Sequence, residues 1–429
     1  MRLPLALVAV AHQEESPLIR VFVNERPVNV APGARVRDAV EQLDHDLAEL
    51  VGRGAAYVTD GVGRPVDAGD PVGEGGAIFR VVVSARQGAP RLSKELLRRW
   101  PKAELHVHLD GCLRPRTMLE LARVQGIRLP ADTPEGLAQA LSVKHAKNLE
   151  EYLTKYEITL SVMQTAAALE RVAYEFVLDA AADGVRYVEV RYSPLLHRPA
   201  LTLGQAIEAP LAGIKRGEAE TGTKVGVIVC GIRTRSPAES LELARAAAEY
   251  RTAGVVAFDL AGAERGFPAR DHAQAFAYAV QHGMACTCHA GEGDGPESIH
   301  QALHACGARR IGHGTRLGED AALLEYVVEH RVPLEMCLTS NLHTHTVPSL
   351  AEHPFKRYLD RGAVVTLNTD GRLVDGVSLT DEYFLAHTVG GLAQEDLARV
   401  VLNACESAFL PAFEKVALVS RVQSELEAL

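Results

Sequence analysis

Strict alternation of apolar and polar side chains marks the run Glu104–Gly111. On an extended chain Leu105, Val107 and Leu109 share one face, and His106, His108 and Asp110 share the other. Seven further apolar segments of strand length follow: Tyr187–Tyr192, Val225–Cys230, Val255–Leu260, Ala285–His289, Arg310–His313, Leu334–Leu338 and Val364–Asn368. Stretches that accommodate helices lie between them, such as Ala166–Ala182, Ser240–Tyr250 and Ala273–His282. Strands alternating with helices in this way predict an α/β fold, a closed (β/α)8 TIM barrel with right-handed crossovers. A doubly wound parallel sheet is the competing arrangement. It would collect polar chemistry at one switch point rather than around a ring.

The residues before the barrel pattern follow a different rhythm. Ile19–Val23 and Val28–Val30 read as the two arms of a hairpin. Val36, Ala39, Val40, Leu43, Leu47 and Leu50 recur at helical spacing and predict one amphipathic helix from Arg35 to about Leu50. Ala56–Val58 and Ala77–Val83 supply later strands around Gly, Asp and Pro turns. This order resembles the ubiquitin-like β-grasp of small sulfur-carrier and related domains. Sulfur carriers end in a free Gly-Gly, whereas Gly75-Gly76 is internal here, so the expected role is an interaction or packing module. Ser84–Arg91 reads as a linker. The expected division is a small α+β, β-grasp-like domain over residues 1–90 and a (β/α)8 domain over residues 91–429.

Composition narrows the picture. A chain of 429 residues has the length for one barrel-sized domain with an appendage, and a hydrophobic share of 47% supports a large core. The net charge of −10 leaves no basic footprint, which argues against a nucleic-acid partner. No apolar run approaches the length needed to cross a bilayer, so no membrane association is expected. Leu3–Ala11 has a signal-like look, but it is very short and follows a single arginine; a ragged start is the alternative. All seven cysteines lie beyond residue 100, and an odd number without a dense framework reads as reduced thiols in a cytoplasmic protein.

The titratable residues fall at the ends of the predicted strands or just after them. They form the groups His106-x-His108-x-Asp110, Asp259–Gly262, His289–Glu292, Gly312–Gly314 and Asn368–Asp370. Barrel enzymes build their active sites at the C-terminal strand ends. Two imidazoles one pleat apart match the ligand chemistry of zinc, and the alternative for the isolated motif is a wet strand face. If His289 points inward, Thr287 shares its face, while Cys286 and Cys288 point outward as core thiols.

Taken in order, these motifs resemble the adenosine deaminase family of metal-dependent amidohydrolases over about residues 98 to 410. The resemblance rests on Pro101–Gly111, Tyr187–Pro194, Asp259–Gly262, His289–Glu292, Gly312–Gly314 and Leu367–Asp370. It implies that His106, His108, His289 and Asp370 bind one zinc ion per chain and leave a place for water. It further implies that Glu292 protonates ring N1 of a purine nucleoside, where the residue's plain alternative is a helix N-terminal carboxylate. His313 would orient the attacking hydroxide, with the flanking glycines allowing close backbone approach. The substrate would meet His108, Asp110 (at the ribose 5′-hydroxyl) and the Gly262 backbone.

Relatives acting on free adenine tend to carry Glu where this chain has Asp110. The implied reaction is therefore deamination of adenosine, with another 6-aminopurine as the alternative and an inactive binding or regulatory barrel as the rival from another class. One departure stands out. Animal-type members carry a second Asp that holds purine N7, and this chain has Gly371 there. The expectation is a vacant space beside the five-membered ring, with Asn368, Arg372 or water as a substitute contact, or else a different preferred base. It follows that Gly371→Asp should raise efficiency and that discrimination against 7-deaza analogues should be weak.

Overall fold

The computed structural model describes residues 18–52, 56–73, 76–83 and 92–429. The signal-like run, the linker Ser84–Arg91 and Gly75 lie outside the described residues. Contacts divide the chain into two units, Met1–Arg91 and Leu92–Leu429.

In the first unit five strands form one mixed sheet: β1 (Ile19–Val23), β2 (Arg26–Val30), β3 (Ala56–Asp60), β4 (Pro65–Val66) and β5 (Ile78–Val83), in the order β2-β1-β5-β3-β4. The β1–β2 hairpin turns at Asn24 and Glu25, both with positive φ, as a two-residue hairpin loop requires. Strands β1 and β5 run parallel at the centre. The helical region differs from the single helix expected, because it breaks into Val36–Leu43 and His45–Gly52 at Asp44. The Asp44 carboxylate accepts the N–H groups of Asp46 and Leu47, which starts a new helix at the cost of continuing the old one. Val36, Ala39 and Val40 then pack with Val21, Val23, Val58 and Phe79 in a separate small core.

In the second unit eight parallel strands form a (β/α)8 barrel: β6 (Lys102–His108), β7 (Val185–Tyr192), β8 (Lys224–Ile232), β9 (Val255–Ala261), β10 (Ala285–Ala290), β11 (Arg310–His313), β12 (Leu334–Met336) and β13 (Val365–Leu367). Strand β12 stops two residues earlier than its apolar run suggests. The buried Glu382 carboxylate accepts the N–H groups of Leu338 and Thr339 and so caps a short helix there. Leu105, Val107 and Leu109 are fully buried in the shell between strands and helices, together with Cys286 and Cys288. Thr287 points the other way, into the barrel, where its hydroxyl donates to Glu335 at 2.9 Å.

The barrel closes between β6 and β13, and it does so largely through one side chain. Asn368 Oδ1 accepts the N–H groups of Leu105 (2.8 Å) and His106 (3.1 Å), while its Nδ2 donates to Thr366. Beyond it the Asp370 carbonyl accepts from His108 N–H at 2.7 Å, and Asp370 N–H donates to the His106 carbonyl at 3.1 Å. The seam thereby places Asp370 beside both histidines of β6.

Among the described residues no helix is long and apolar enough to cross a membrane. All seven cysteines are free and buried.

Candidate active site

Inside the barrel an ionic layer takes the place of aliphatic packing. Glu335, on β12, accepts from His106 Nδ1 (2.8 Å), Arg191 Nη2 (2.8 Å), Arg310 Nε (2.6 Å) and Thr287 Oγ1. Arg191 also donates to Asp259 at 2.9 Å, and Arg310 donates to Glu189. Burial alone would raise the Glu335 and Asp259 carboxyls; Arg191 with Arg310 in the first case, and His289 with Arg191 in the second, hold them well below the ordinary range. Removing one member of such a layer leaves buried charge uncompensated. Glu335→Gln is expected to destabilise the fold by about 3–5 kcal/mol, read as a shift in the denaturant midpoint. A change under about 1 kcal/mol would mean that the remaining carboxylates already balance both arginines.

The two anionic partners also fix histidine tautomers. A carboxylate only accepts, so His106 Nδ1 donates to Glu335 and His289 Nδ1 donates to Asp259 at 3.0 Å. Their Nε2 lone pairs are left to face the barrel mouth. There, ligand atoms of His106, His108, His289 and Asp370 all lie within 4.8 Å of one another. His108 Nε2 is 3.1 Å from His289 Nε2, and Asp370 Oδ1 is 3.4 Å from His106 Nε2 and 3.3 Å from His108 Nε2. His106 Nε2 is buried and has no hydrogen-bond partner. Burial lowers the His108 and His289 pKa values and favours the neutral, ligating form. Three converging imidazole nitrogens, one carboxylate oxygen and an orphaned buried lone pair fit one small divalent cation.

Glu292 and His313 stand beside this cluster. Glu292 follows β10 across a turn in which Gly291 has φ +71°. Glu264, which no sequence motif pointed to, builds the turn: its carboxylate accepts the N–H groups of Gly291, Glu292, Gly293 and Asp294 at 2.6–3.0 Å. The helix that follows begins only at Pro296, so Glu292 is no N-terminal helix carboxylate. Burial first, then the Asp370 and Glu264 charges, push its pKa well above the usual carboxylate range. Its Oε1 is buried without a partner, and its Oε2 lies 3.5 Å from His313 Nε2. A cavity of about 430 Å³ opens over Glu292, lined also by Lys147, Leu149, Arg265, Thr344 and His345, a volume that suits a small molecule.

His313 sits at φ +62°, a strained setting for a residue with a Cβ, and Asp370 shares it. Gly312 is required by contact: a Cβ there would come within 3.0 Å of His106 Cε1 and of the His289 backbone. Thr315 Oγ1 and His353 Nε2 both donate to Asn341 Oδ1, which turns Asn341 Nδ2 toward His313 Nδ1 at 3.1 Å. His313 therefore carries its proton on Nε2, facing Glu292 and the cluster. Asn341, like Glu264 and Glu335, lay outside every motif read from the sequence; the inward parity of Glu335 on its strand was the one available signal.

Asp110 lies just past β6 in a short 3-10 turn, with Oδ1 4.0 Å from His108 Nδ1 and without a hydrogen-bond partner. Burial pushes its pKa up to about 7. Gly262 follows β9 with φ +98°, in the region that favours glycine, and is half-buried.

The region around Gly371 differs from expectation. A Cβ there would lie 2.5 Å from the Tyr156 hydroxyl and 2.5 Å from Val374, so the supposed vacancy is filled and Gly371→Asp has no room. Arg372 is no substitute contact, since its guanidinium is buried against Glu104 and over Phe176. Asn368 is consumed by barrel closure.

The sequence model of the family described as adenosine deaminase matches residues 101–425. An adenosine deaminase of Mycobacteroides abscessus is 42% identical over 339 residues, spanning 75% of this chain and 94% of that protein. A probable adenosine deaminase of Dictyostelium discoideum is 38% identical over 74% of this chain, which spans 42% of that longer protein. Among solved structures, the adenine deaminase of Arthrobacter aurescens superposes with TM-score 0.70 at 27% identity, covering 76% of this chain and 99% of that one. An N6-mAMP deaminase of arabidopsis gives TM-score 0.68 at 27% identity, covering 77% and 99%. With the family's motifs carried on the mouth of its barrel, the chain belongs to the adenosine deaminase family.

Proposed function

We propose that the barrel is a zinc-dependent hydrolase that converts adenosine, and 2′-deoxyadenosine, to the 6-oxo nucleoside with release of ammonia. The observation that carries the reading is a buried carboxyl group, Glu292, whose pKa burial raises above the usual carboxylate range, beside four converging groups that could hold a metal ion. The names of relatives at about 40% identity, adenosine deaminase in each case, support it.

His106, His108, His289 and Asp370 would hold one zinc ion per chain; when bound, it supplies the Lewis-acid activation of water that attack on an aromatic carbon needs. Glu292 donates its proton to ring N1, which makes C6 electrophilic. The water oxygen adds to C6, held in position by a hydrogen bond from the His313 Nε2–H. Of the water's two protons, one passes to the 6-amino nitrogen, so that the C6–N6 bond breaks and ammonia departs, and the other returns to Glu292 and restores its acid form. Asp110 would accept from the ribose 5′-hydroxyl, and the Gly262 backbone would meet the purine edge. The buried free thiols suit a reducing, cytoplasmic setting.

The test is ammonia release from a panel: adenosine, 2′-deoxyadenosine, adenine, N6-methyladenosine and adenosine monophosphate. Adenosine is expected to lead in kcat/KM. A lead for adenine or for the nucleotide would reassign the substrate, and silence across the panel with zinc bound would favour an inert barrel.

A further inference from the structure

We propose that Tyr156 is a specificity-determining residue, its hydroxyl donating a hydrogen bond to N7 of the purine. The proposal rests on the reading of the site as a 6-aminopurine deaminase.

The argument begins with the shape of the base. N1 and N7 flank the 6-amino group on opposite sides, and both are neutral acceptors that need a donor. Glu292 stands at the His313 end of the histidine cluster, 3.5 Å from His313 Nε2. Tyr156 stands at the other end, its ring centroid 6.2 Å from that of His108. A base presenting N1 to Glu292 therefore turns N7 toward Tyr156.

The phenol is seated in a slot made by two glycines. A Cβ on Gly111 would come within 2.9 Å of its hydroxyl, and a Cβ on Gly371 within 2.5 Å. Neither glycine has a positive φ, so what both positions require is space rather than an unusual backbone. The helix Leu149–Ser161 brings Tyr152 and Tyr156 to the same face, one turn apart.

Tyr152 settles where the protons go. Its hydroxyl donates to Asp375 at 2.8 Å, so toward Tyr156 it can only accept. That contact is 3.3 Å, long for a hydroxyl pair, and it leaves the Tyr156 proton weakly engaged. The pair also borders the metal-binding cluster, since Tyr152 Oη lies 3.5 Å from Asp370 Oδ2. A ring nitrogen is a better acceptor than the neighbouring phenol, and two nearby donors are already engaged: Arg372 is bound to Glu104 and Asn368 to the barrel seam.

The experiment compares kcat/KM for adenosine and 7-deazaadenosine, which lacks N7, in the zinc-loaded full-length enzyme and in Tyr156→Phe, with metal content measured in both. The native enzyme is expected to prefer adenosine by about tenfold or more, and Tyr156→Phe to bring the ratio to within about threefold of unity. Gly371→Ala, which pushes the phenol from its slot, is expected to lower the ratio in the same direction. A Tyr156→Phe protein that discriminates as the native enzyme does would overturn the proposal. So would a native enzyme with no preference, a result that needs no variant to fold. Ammonia from neither substrate in the native holoenzyme would instead overturn the deaminase reading on which this one stands.

Discussion

In a His289→Ala protein, turnover is expected to fall to background and zinc content to drop well below the one ion per chain proposed for the native enzyme. The reason lies in how the ligand set is held. His289 Nδ1 is tied to Asp259, and Asp259 to Arg191, so the Nε2 lone pair is aimed before any ion arrives. Truncation removes a ligand and leaves Asp259 with Arg191 as its remaining ionic partner. Alanine at His106, His108 or Asp370 should act in the same direction, and at Asp370 it also strips Ser340 of the carboxylate to which its hydroxyl donates. Elemental analysis after dialysis and ammonia release check the result together. Normal activity with full zinc content in His289→Ala would remove this residue from the site.

Glu292→Gln should lower kcat by about two to four orders of magnitude while ground-state ligand binding survives better than turnover. Glutamine keeps the shape but has no proton to deliver to N1. The native side chain is suited to deliver one because burial and the charges of Asp370 and Glu264 disfavour its anion. The sign of the pH effect follows. With a folded-state pKa raised above the ordinary value, the acid form persists through the usual carboxylate range, and activity that depends on it is lost only as pH rises through the raised pKa. An acidic limb set by Glu292 itself would contradict the acid role, as would a loss of less than tenfold in the glutamine variant.

Much of this site was legible in the chain because its logic is local. Alternation along one strand places His106 and His108 on one face whatever surrounds them, since the pleat has period two. The same parity sent Thr287 inward and Cys286 and Cys288 outward. Strand ends carrying titratable residues pointed to the barrel mouth, because connections between parallel strands leave their C-terminal ends as the place where loops meet. Element boundaries were less legible where a distant carboxylate intervened, as Glu382 does at Leu338.

The sequence by itself thus determined the barrel, its eight strands and the residues that line its mouth. Only the tertiary structure decided how those residues are held and what stands between them. Glu335 serves His106, Arg191 and Arg310 at once across widely separated strands, an arrangement set by barrel register rather than by any motif. Glu264 gathers four amides of a turn that follows the next strand, and Asn341 sets a tautomer from a helix beyond β12. At Gly371 the missing side chain read as open space, yet the space belongs to Tyr156, more than two hundred positions earlier. A one-dimensional pattern records which faces a chain presents; what fills the volume next to a glycine depends on how close-packed elements meet, and that is settled only when the chain folds.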